Sequence, residues 1–334
     1  MGGDHAPDEI VEGAVQAARE MPDTRICLVG REQPIHQRLE ALDYSGNNIA
    51  VCPAEHVIEM GDSPVEALRK KRGSSIEEAV KLVRSEEAHA FVSAGNTGAC
   101  VVAAQLGLGL LPKVKKPGIL VTILAGDRPV SVIDAGANVT PKPIHLVQYG
   151  IMGSLYSSEI INIDNPRVGL LNIGGEDRKG NRLVKATKLL FEETQLNFRG
   201  YVEGDEIFRG SCDVIICDGF TGNAVLKVSE GLAERLMSVF HQVLESSLGS
   251  AEAAADGVSD EERSGSAADL LRLSLLNLRR KVDYSEYGGA PLLGVNGVVI
   301  VAHGRSDAKA IFNAVKVAKR MVDVNINRDI TERI

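Results

Sequence analysis

An α/β layer fold with a largely parallel sheet is the fold class this sequence predicts, and two observations carry it. Short apolar runs alternate with helical patterns along almost the whole chain, the arrangement expected of strands and helices in layers. The apolar residues are also of the right kind. Hydrophobic residues make up 44% of the chain, but aromatics only 4% and tryptophan none. A core of Val, Ile, Leu and Ala is the usual filling of buried parallel strands covered by helices.

Taken in order, the strand candidates are RICLVG (25–30), NIAVCPA (48–54), AHAFVSAG (88–95), GILVTILAG (118–126), VSVIDAGAN (130–138), RVGLLNIG (167–174) and CDVIICDG (212–219). Between them stand amphipathic stretches such as DEIVEGAVQAARE and SIEEAVKLVRSEE, with apolar residues at helical spacing. One connection is different. An Asp-Arg-Pro turn between the runs at 118–126 and 130–138 reads as a hairpin. From about 227 to 282 the pattern is helical, broken by a Gly-, Ser-, Ala- and acid-rich stretch, so two long helices joined by a polar tip are expected. A length of 334 residues allows two domains or one large α/β unit.

Bulk properties narrow the functions. A net charge of −8 argues against general nucleic-acid binding, which calls for a basic domain. The five cysteines, Cys27, Cys52, Cys100, Cys212 and Cys217, form no C-x-x-C, so neither a zinc knuckle nor a redox pair is signalled. Buried thiols in a reducing compartment are expected. The opening MGGDHAPDE lacks the basic and apolar regions of a secretory signal. No apolar run reaches the roughly 18 residues of a spanning helix. A soluble, cytoplasmic protein follows as the expectation.

Four strand candidates end alike. VSAGNTG, VIDAGAN, LNIGGEDRKGN and ICDGFTGN each pass from an apolar run into Gly, Asn, Asp or Thr. Ligands of open α/β sheets bind beyond the carboxyl ends of the strands, so these exits predict one shared cleft. AGNTGACVV and GFTGNAVLKV also place Gly, Asn and Thr directly ahead of a helical run. Helix N-termini offer unpaired N–H groups and a positive dipole end, which suits an anion such as phosphate.

Standard motifs do not account for these exits. The chain has no G-x-G-x-x-G after a strand, no Walker loop, no G-x-S-x-G and no H-E-x-x-H. A metal site would need ligands from separate loops, such as Asp4, His5, Asp134 and Asp218, and no metal is expected. His36, His56, His89 and His241 stand in helical or loop contexts that favour surface or packing roles.

The ordered stretches MGGDHAP, SAGNTGA, DAGANV, HLVQYGIMGS, RVGLLNIGGEDRKGN, VEG, DVIICDGFTGN and YGGAPLLGVNGVVIVAHGRSDAKA cover nearly the whole chain. Through them the sequence resembles the PlsX family of acyl-acyl carrier protein:phosphate acyltransferases. The resemblance implies an α/β/α sandwich, Rossmann-like and similar to isocitrate and isopropylmalate dehydrogenases and to phosphotransacetylases. It implies one acyltransferase domain over 1–334 that includes the projecting helical hairpin. The implied reaction is attack of inorganic phosphate on a long-chain acyl-carrier thioester, giving acyl phosphate for phospholipid synthesis by a homodimer without a cofactor.

Phosphate is then its own nucleophile, so no Ser–His or Cys–His pair is needed. An anion cradle, donors for the tetrahedral oxyanion and in-line positioning are. Carried over residue by residue, the family motifs imply that Gly2, Gly3, Asp4 and His5 form one wall of the site. Asn96, Thr97 and Gly98 donate to phosphate, Ser93 joins them in binding substrate, and Asp134 and Asn138 line the floor. Lys179 supplies the positive partner of phosphate beside Asn181, while Asp218, Thr221 and Asn223 stand opposite. Asp4, His5, Lys179 and Asp218 are the expected catalytic group, with the general base unassigned. Two departures from the family pattern stand out. A first strand ending in Asp-Ala normally precedes MGGDHAP, where this sequence has Met1, and Tyr201 replaces a usual asparagine.

Other readings share the fold. A coenzyme A phosphotransacetylase is one; a nicotinamide-dependent dehydrogenase, needing a carboxylate cluster and an Arg-rich site, is another. A non-enzymatic membrane-surface binding protein is a third. The basic runs RKKR (69–72), KVKK (113–116) and RRK (279–281) are candidate docking sites for an acidic acyl carrier protein. In ADLLRLSLLNLRRKV (268–282), Leu271, Leu275, Leu278 and Val282 form a stripe expected at a dimer contact or on a membrane surface. A downstream glycerol-3-phosphate acyltransferase is a further expected partner.

Overall fold

Apolar runs set the strands where their pattern places them. In the computed structural model, which describes residues 1–126, 128–254 and 288–334, they are β1 (Ile26–Gly30), β2 (Ile49–Pro53), β3 (Ala90–Ser93), β4 (Gly118–Ala125), β5 (Arg128–Ile133), β6 (Val168–Leu171) and β8 (Val214–Ile216). Three short strands were not read from the sequence: β7 (Phe198–Val202), β9 (Ala290–Leu293) and β10 (Val298–Val301). The helices are α1 (Asp8–Glu20), α2 (Glu32–Ala41), α3 (Pro64–Lys70), α4 (Ser75–Arg84), α5 (Thr97–Gly107), α6 (Pro143–Glu159), α7 (Arg182–Glu192), α8 (Gly219–Ala254), α9 (Ala308–Asp323) and α10 (Ile326–Arg333).

β1 and β2 pair in parallel as a separate ribbon, and the other strands form one eight-stranded sheet in the order β3-β10-β9-β4-β5-β8-β6-β7. Aliphatic clusters cover its faces. One gathers Leu120, Ile133, Tyr149, Met152, Val168, Leu170 and Ile216 beneath α6, and another gathers Ile76, Phe91, Ala99, Cys100, Ile119, Leu292 and Val299 beneath α4 and α5.

The 118–133 segment is a hairpin as expected, with Ala125 paired to Arg128. Its effect reaches further than a local turn. β3 and β10 run parallel, β9 opposes β10, β4 opposes β9, and β5 opposes β4 while running parallel to β8. The carboxyl ends of β3 and β10 therefore point opposite to those of β5, β8 and β6.

The chain divides into two compact units: Met1–Gly222 with Tyr284–Ile334, and Asn223–Asp283. The described part of the second is the continuation of α8, which carries exposed Val228, Leu232, Leu236, Val239, Phe240 and Val243 at helical spacing. The stripe of Leu271, Leu275, Leu278 and Val282 lies outside the described residues, as does the RRK run. Among the described residues no helix is long and apolar enough to cross a membrane. Cys100, Cys212 and Cys217 are buried as expected, whereas Cys27 is exposed and Cys52 half-buried, because both lie on the thinly covered β1–β2 ribbon.

Candidate active site

The polarity reversal corrects the expectation of one cleft beyond a common strand edge: the polar exits form two groups. Register shows how far apart they are. Val301 pairs with Ser93 on one side and Ala290 on the other, while Leu292, two residues along β9, pairs with Ile119. Asp134 Oδ1 accepts from the Ile119 N–H at 3.0 Å. Two residue steps are about 7 Å and two strand spacings about 10 Å, so both groups flank the middle of the sheet.

In the first group, residues 2–5 lie against the exits of β3 and β10. Asp4 N–H donates to the Gly304 carbonyl at 2.8 Å, and Ala302 N–H donates to the Ser93 carbonyl at 2.8 Å. Gly2 has φ +103°, and a Cβ there would stand 2.9 Å from the Ile58 carbonyl, so only glycine fits this approach. Ser93 Oγ accepts from Gly95 N–H at 3.1 Å and shapes the turn.

Asn96 closes that turn, and its side chain is spent on protein partners. Its Oδ1 accepts from Ala99 N–H at 3.0 Å as the cap of α5. Its amide nitrogen donates to the carbonyls of Glu59, Met60 and Asp62 at 3.0–3.2 Å. No acidic residue stands in the first turn of α5. Thr97 and Gly98 N–H groups have no partner among the described residues. Cys100 behind them is buried, which pushes its thiol up to about 11 and leaves it inert.

β10 ends in a turn absent from the sequence-derived site. His303 Nδ1 accepts from Arg305 N–H at 3.2 Å, and the His303 carbonyl accepts from Ser306 N–H at 2.9 Å. A Cβ on Gly304 would come within 3.4 Å of Asp4 Oδ2, so this turn and the N-terminal motif adjoin. AHGRSD is itself a polar strand exit; the strand ahead of it was too short to stand out.

The second group centres on Asp134, which is fully buried. Its carboxylate accepts N–H bonds from Ile119, Gly136, Ala137 and Asn138 at 2.6–3.1 Å. Burial pushes this carboxyl up, and the four donors pull against that rise. Asn138 donates its side-chain amide to the Pro117 carbonyl at 2.6 Å and to Tyr149 Oη at 2.7 Å. Both predicted floor residues thus hold the 134–138 loop in shape. The loop turns back on the sheet: Ala135 and Ala137 join the apolar cluster that contains Ala99 and Cys100 of α5.

Asp218 caps α8, accepting from Thr221 N–H at 2.9 Å and Thr221 Oγ1 at 2.7 Å. Asn223 is exposed in the next turn and belongs to the second unit. Asn181 caps α7 through Val184 N–H at 2.9 Å. Lys179 is half exposed and paired with Glu176 at 2.8 Å, a carboxylate that raises its pKa. Asn172, buried at the β6 exit, was not singled out and donates to the Gly174 carbonyl at 2.8 Å. Exposed His5 accepts from Glu9 N–H through its carbonyl. No cluster of three or more potential metal ligands occurs among the described residues.

A layered α/β molecule with these exits has the fold of the phosphotransacetylases. Solved structures similar in fold are the EutD phosphotransacetylase from Staphylococcus aureus (TM-score 0.59, 14% identity, 95% of this chain and 92% of that one) and a phosphotransacetylase from Streptococcus pyogenes (TM-score 0.59, 14% identity, 94% and 91%). Sequence takes the identification further. The family of the description "Fatty acid synthesis protein" matches residues 1–329. Curated relatives named phosphate acyltransferase, from Halothermothrix orenii and Dictyoglomus turgidum, are each 43% identical, over 98% and 99% of this chain and 94% and 95% of theirs. The chain belongs to this family, the PlsX family, and is a phosphate acyltransferase.

Proposed function

We propose that this chain moves the acyl group of a long-chain acyl-acyl carrier protein onto inorganic phosphate. A phosphate oxygen attacks the thioester carbonyl, the carbon–sulfur bond breaks, and the carrier thiol leaves with a proton. Acyl phosphate is the product, an acyl donor for phospholipid synthesis in the cytoplasm.

One observation carries the placement of phosphate: the α5 N-terminus is open to an anion, and the α8 N-terminus is not. Asp218 already sets a carboxylate on α8, while α5 has the neutral cap Asn96 and two available N–H groups, from Thr97 and Gly98. Phosphate therefore sits on Thr97 and Gly98, with Asn96 positioning the turn and residues 2–5 forming the adjoining wall. Asp134 and Asn138 hold the loop on the thioester side. Lys179, paired with Glu176 at the exit of β6, stands six strands across the sheet from this site, so the expectation that it partners phosphate there is set aside. Asp4 or His5, on the adjoining wall, positions a proton, and the general base is unassigned.

The test is thiol release from palmitoyl-acyl carrier protein. Release that rises and saturates with phosphate supports the reading, while release indifferent to phosphate overturns it. Palmitoyl-coenzyme A run in parallel distinguishes the phosphotransacetylase alternative suggested by the fold.

The exposed stripe on α8 supports a homodimer contact, with a membrane surface as the second use of the same residues. Sedimentation should give a dimer mass for the native chain and a lower mass for Leu232→Glu with Leu236→Glu. An unchanged dimer in that variant removes the stripe from the interface.

A further inference from the structure

Acidic residues are spread unevenly in this chain. It contains 45 of them, yet residues 88–126 and 135–158 hold none. Lys113, Lys115, Lys116 and Lys142 fall in these two segments, and all four are exposed.

The structure brings the segments together. Lys115 N–H donates to Gln148 Oε1 at 2.9 Å, and Gln148 Nε2 returns a bond to the Lys113 carbonyl at 3.0 Å. Asn138 binds the carbonyl of Pro117, the residue after Lys116. Lys142 N–H donates to His145 Nδ1 at 3.1 Å. Burial, then Lys116, then Lys142 lower the His145 pKa, so both lysines lie near one imidazole and no anion offsets them. None of the four lysines joins an ion pair among the described residues. Val139 and Ile144, 62% and 43% exposed, stand among them. Unpaired cations around exposed aliphatic side chains form a surface that is both charged and sticky.

The other described basic run differs. Lys71 donates to Asp62 and to the Val57 carbonyl, and Lys70 pairs with Glu66 at 3.1 Å. Part of its charge is neutralised within the protein.

We infer that Lys113, Lys115, Lys116 and Lys142, around Val139 and Ile144, form the docking surface for an acidic carrier-protein domain that presents its thioester to the loop at 134–138. This inference rests on the acyl-carrier reading of the site. Charge complementarity selects the occupant: an acidic protein surface supplies the anions this patch lacks. Proximity supplies the purpose, because Asn138 of the loop and Lys116 of the patch are joined through Pro117. Electrostatic docking of this kind acts mainly on association and fades with salt.

The test compares the native chain with Lys115→Glu/Lys116→Glu/Lys142→Glu, none of which is placed in the acyl-transfer site. At low ionic strength the variant should raise KM for palmitoyl-acyl carrier protein about ten-fold or more, with KM for phosphate unchanged. Added salt should shrink the difference, and Arg69→Glu/Arg72→Glu should stay within about two-fold of native. An unchanged carrier KM overturns the inference. So does an equal loss with a short-chain acyl-pantetheine, which lacks the protein surface. Loss of pelleting with phosphatidylglycerol vesicles, with carrier KM intact, assigns the patch to lipid and also overturns it. If the native chain releases no thiol, the functional reading fails. Fluorescence anisotropy of labelled acyl carrier protein then still decides the docking surface by the same comparison.

Discussion

Asp134→Ala should cost roughly 3 kcal/mol or more of stability and lower kcat/KM by at least about a hundred-fold. The carboxylate removed is fully buried and is the acceptor for four backbone N–H groups, one from buried Ile119 and three from the exposed or half-buried residues 136–138. The buried Ile119 donor is expensive to orphan, the loop loses the acceptor that shapes it, and relaxation recovers only part of the loss. Three of those donors belong to residues 136–138 and the fourth to Ile119 in β4, so the loop loses both its internal turn and its tether to the sheet. Thermal unfolding with steady-state kinetics checks this. A variant that keeps native stability and activity would show that the four bonds do not determine the loop.

Gly222→Ala is the second large effect. A Cβ at Gly222 would lie 2.0 Å from the Asp134 carbonyl oxygen and 2.9 Å from Cys217 Sγ. The atom it meets first is backbone, which cannot swing aside as a flexible side chain would. Overpacking of this kind costs roughly 1–3 kcal/mol, and here it pushes α8 away from the loop it braces. Gly231→Ala, on the same helix with nothing within 4 Å of the new methyl, should instead be neutral or stabilising by about 0.5–1 kcal/mol. Chemical denaturation of the two variants compares them directly. Equal stabilities would show that α8 and the loop adjust to each other without cost.

Much of the fold was legible because long apolar runs with polar ends leave little choice. β4 and β5 could be read together with their hairpin. β9 and β10 could not: APLL and VVIV are four-residue strands separated by a glycine-rich turn, and a short apolar run carries no clear period. That gap hid how β3 and β10 join the rest of the sheet: β9 opposes both β10 and β4, so those two run the same way and the reversal falls at the β4–β5 hairpin. The site was legible as a set of motifs and less so as a set of roles. Asn96, Asn138 and Asp134 were read as groups facing a ligand, but their side chains serve partners within the protein, nearly all of them backbone. A sequence shows that an asparagine precedes a helix, whereas which groups it bonds depends on the loop at 59–62 folding beside it. Lys115 and Lys116 were visible as a charge run; Lys142 joined them only through the contact of two separate segments.

The order of strands also has a bearing on when the molecule can be completed during synthesis. β3 and β4 are neighbours in sequence, but in the sheet β10 and β9 lie between them, and those two strands come from residues 290–301. Until that late stretch leaves the ribosome, the two halves of the sheet have no shared seam, and β3 and β4 each keep an edge that later becomes interior. Unpaired edges invite pairing with other chains. The nascent protein thus carries its greatest exposure to misassembly at the place where the finished enzyme draws its two groups of polar loops together.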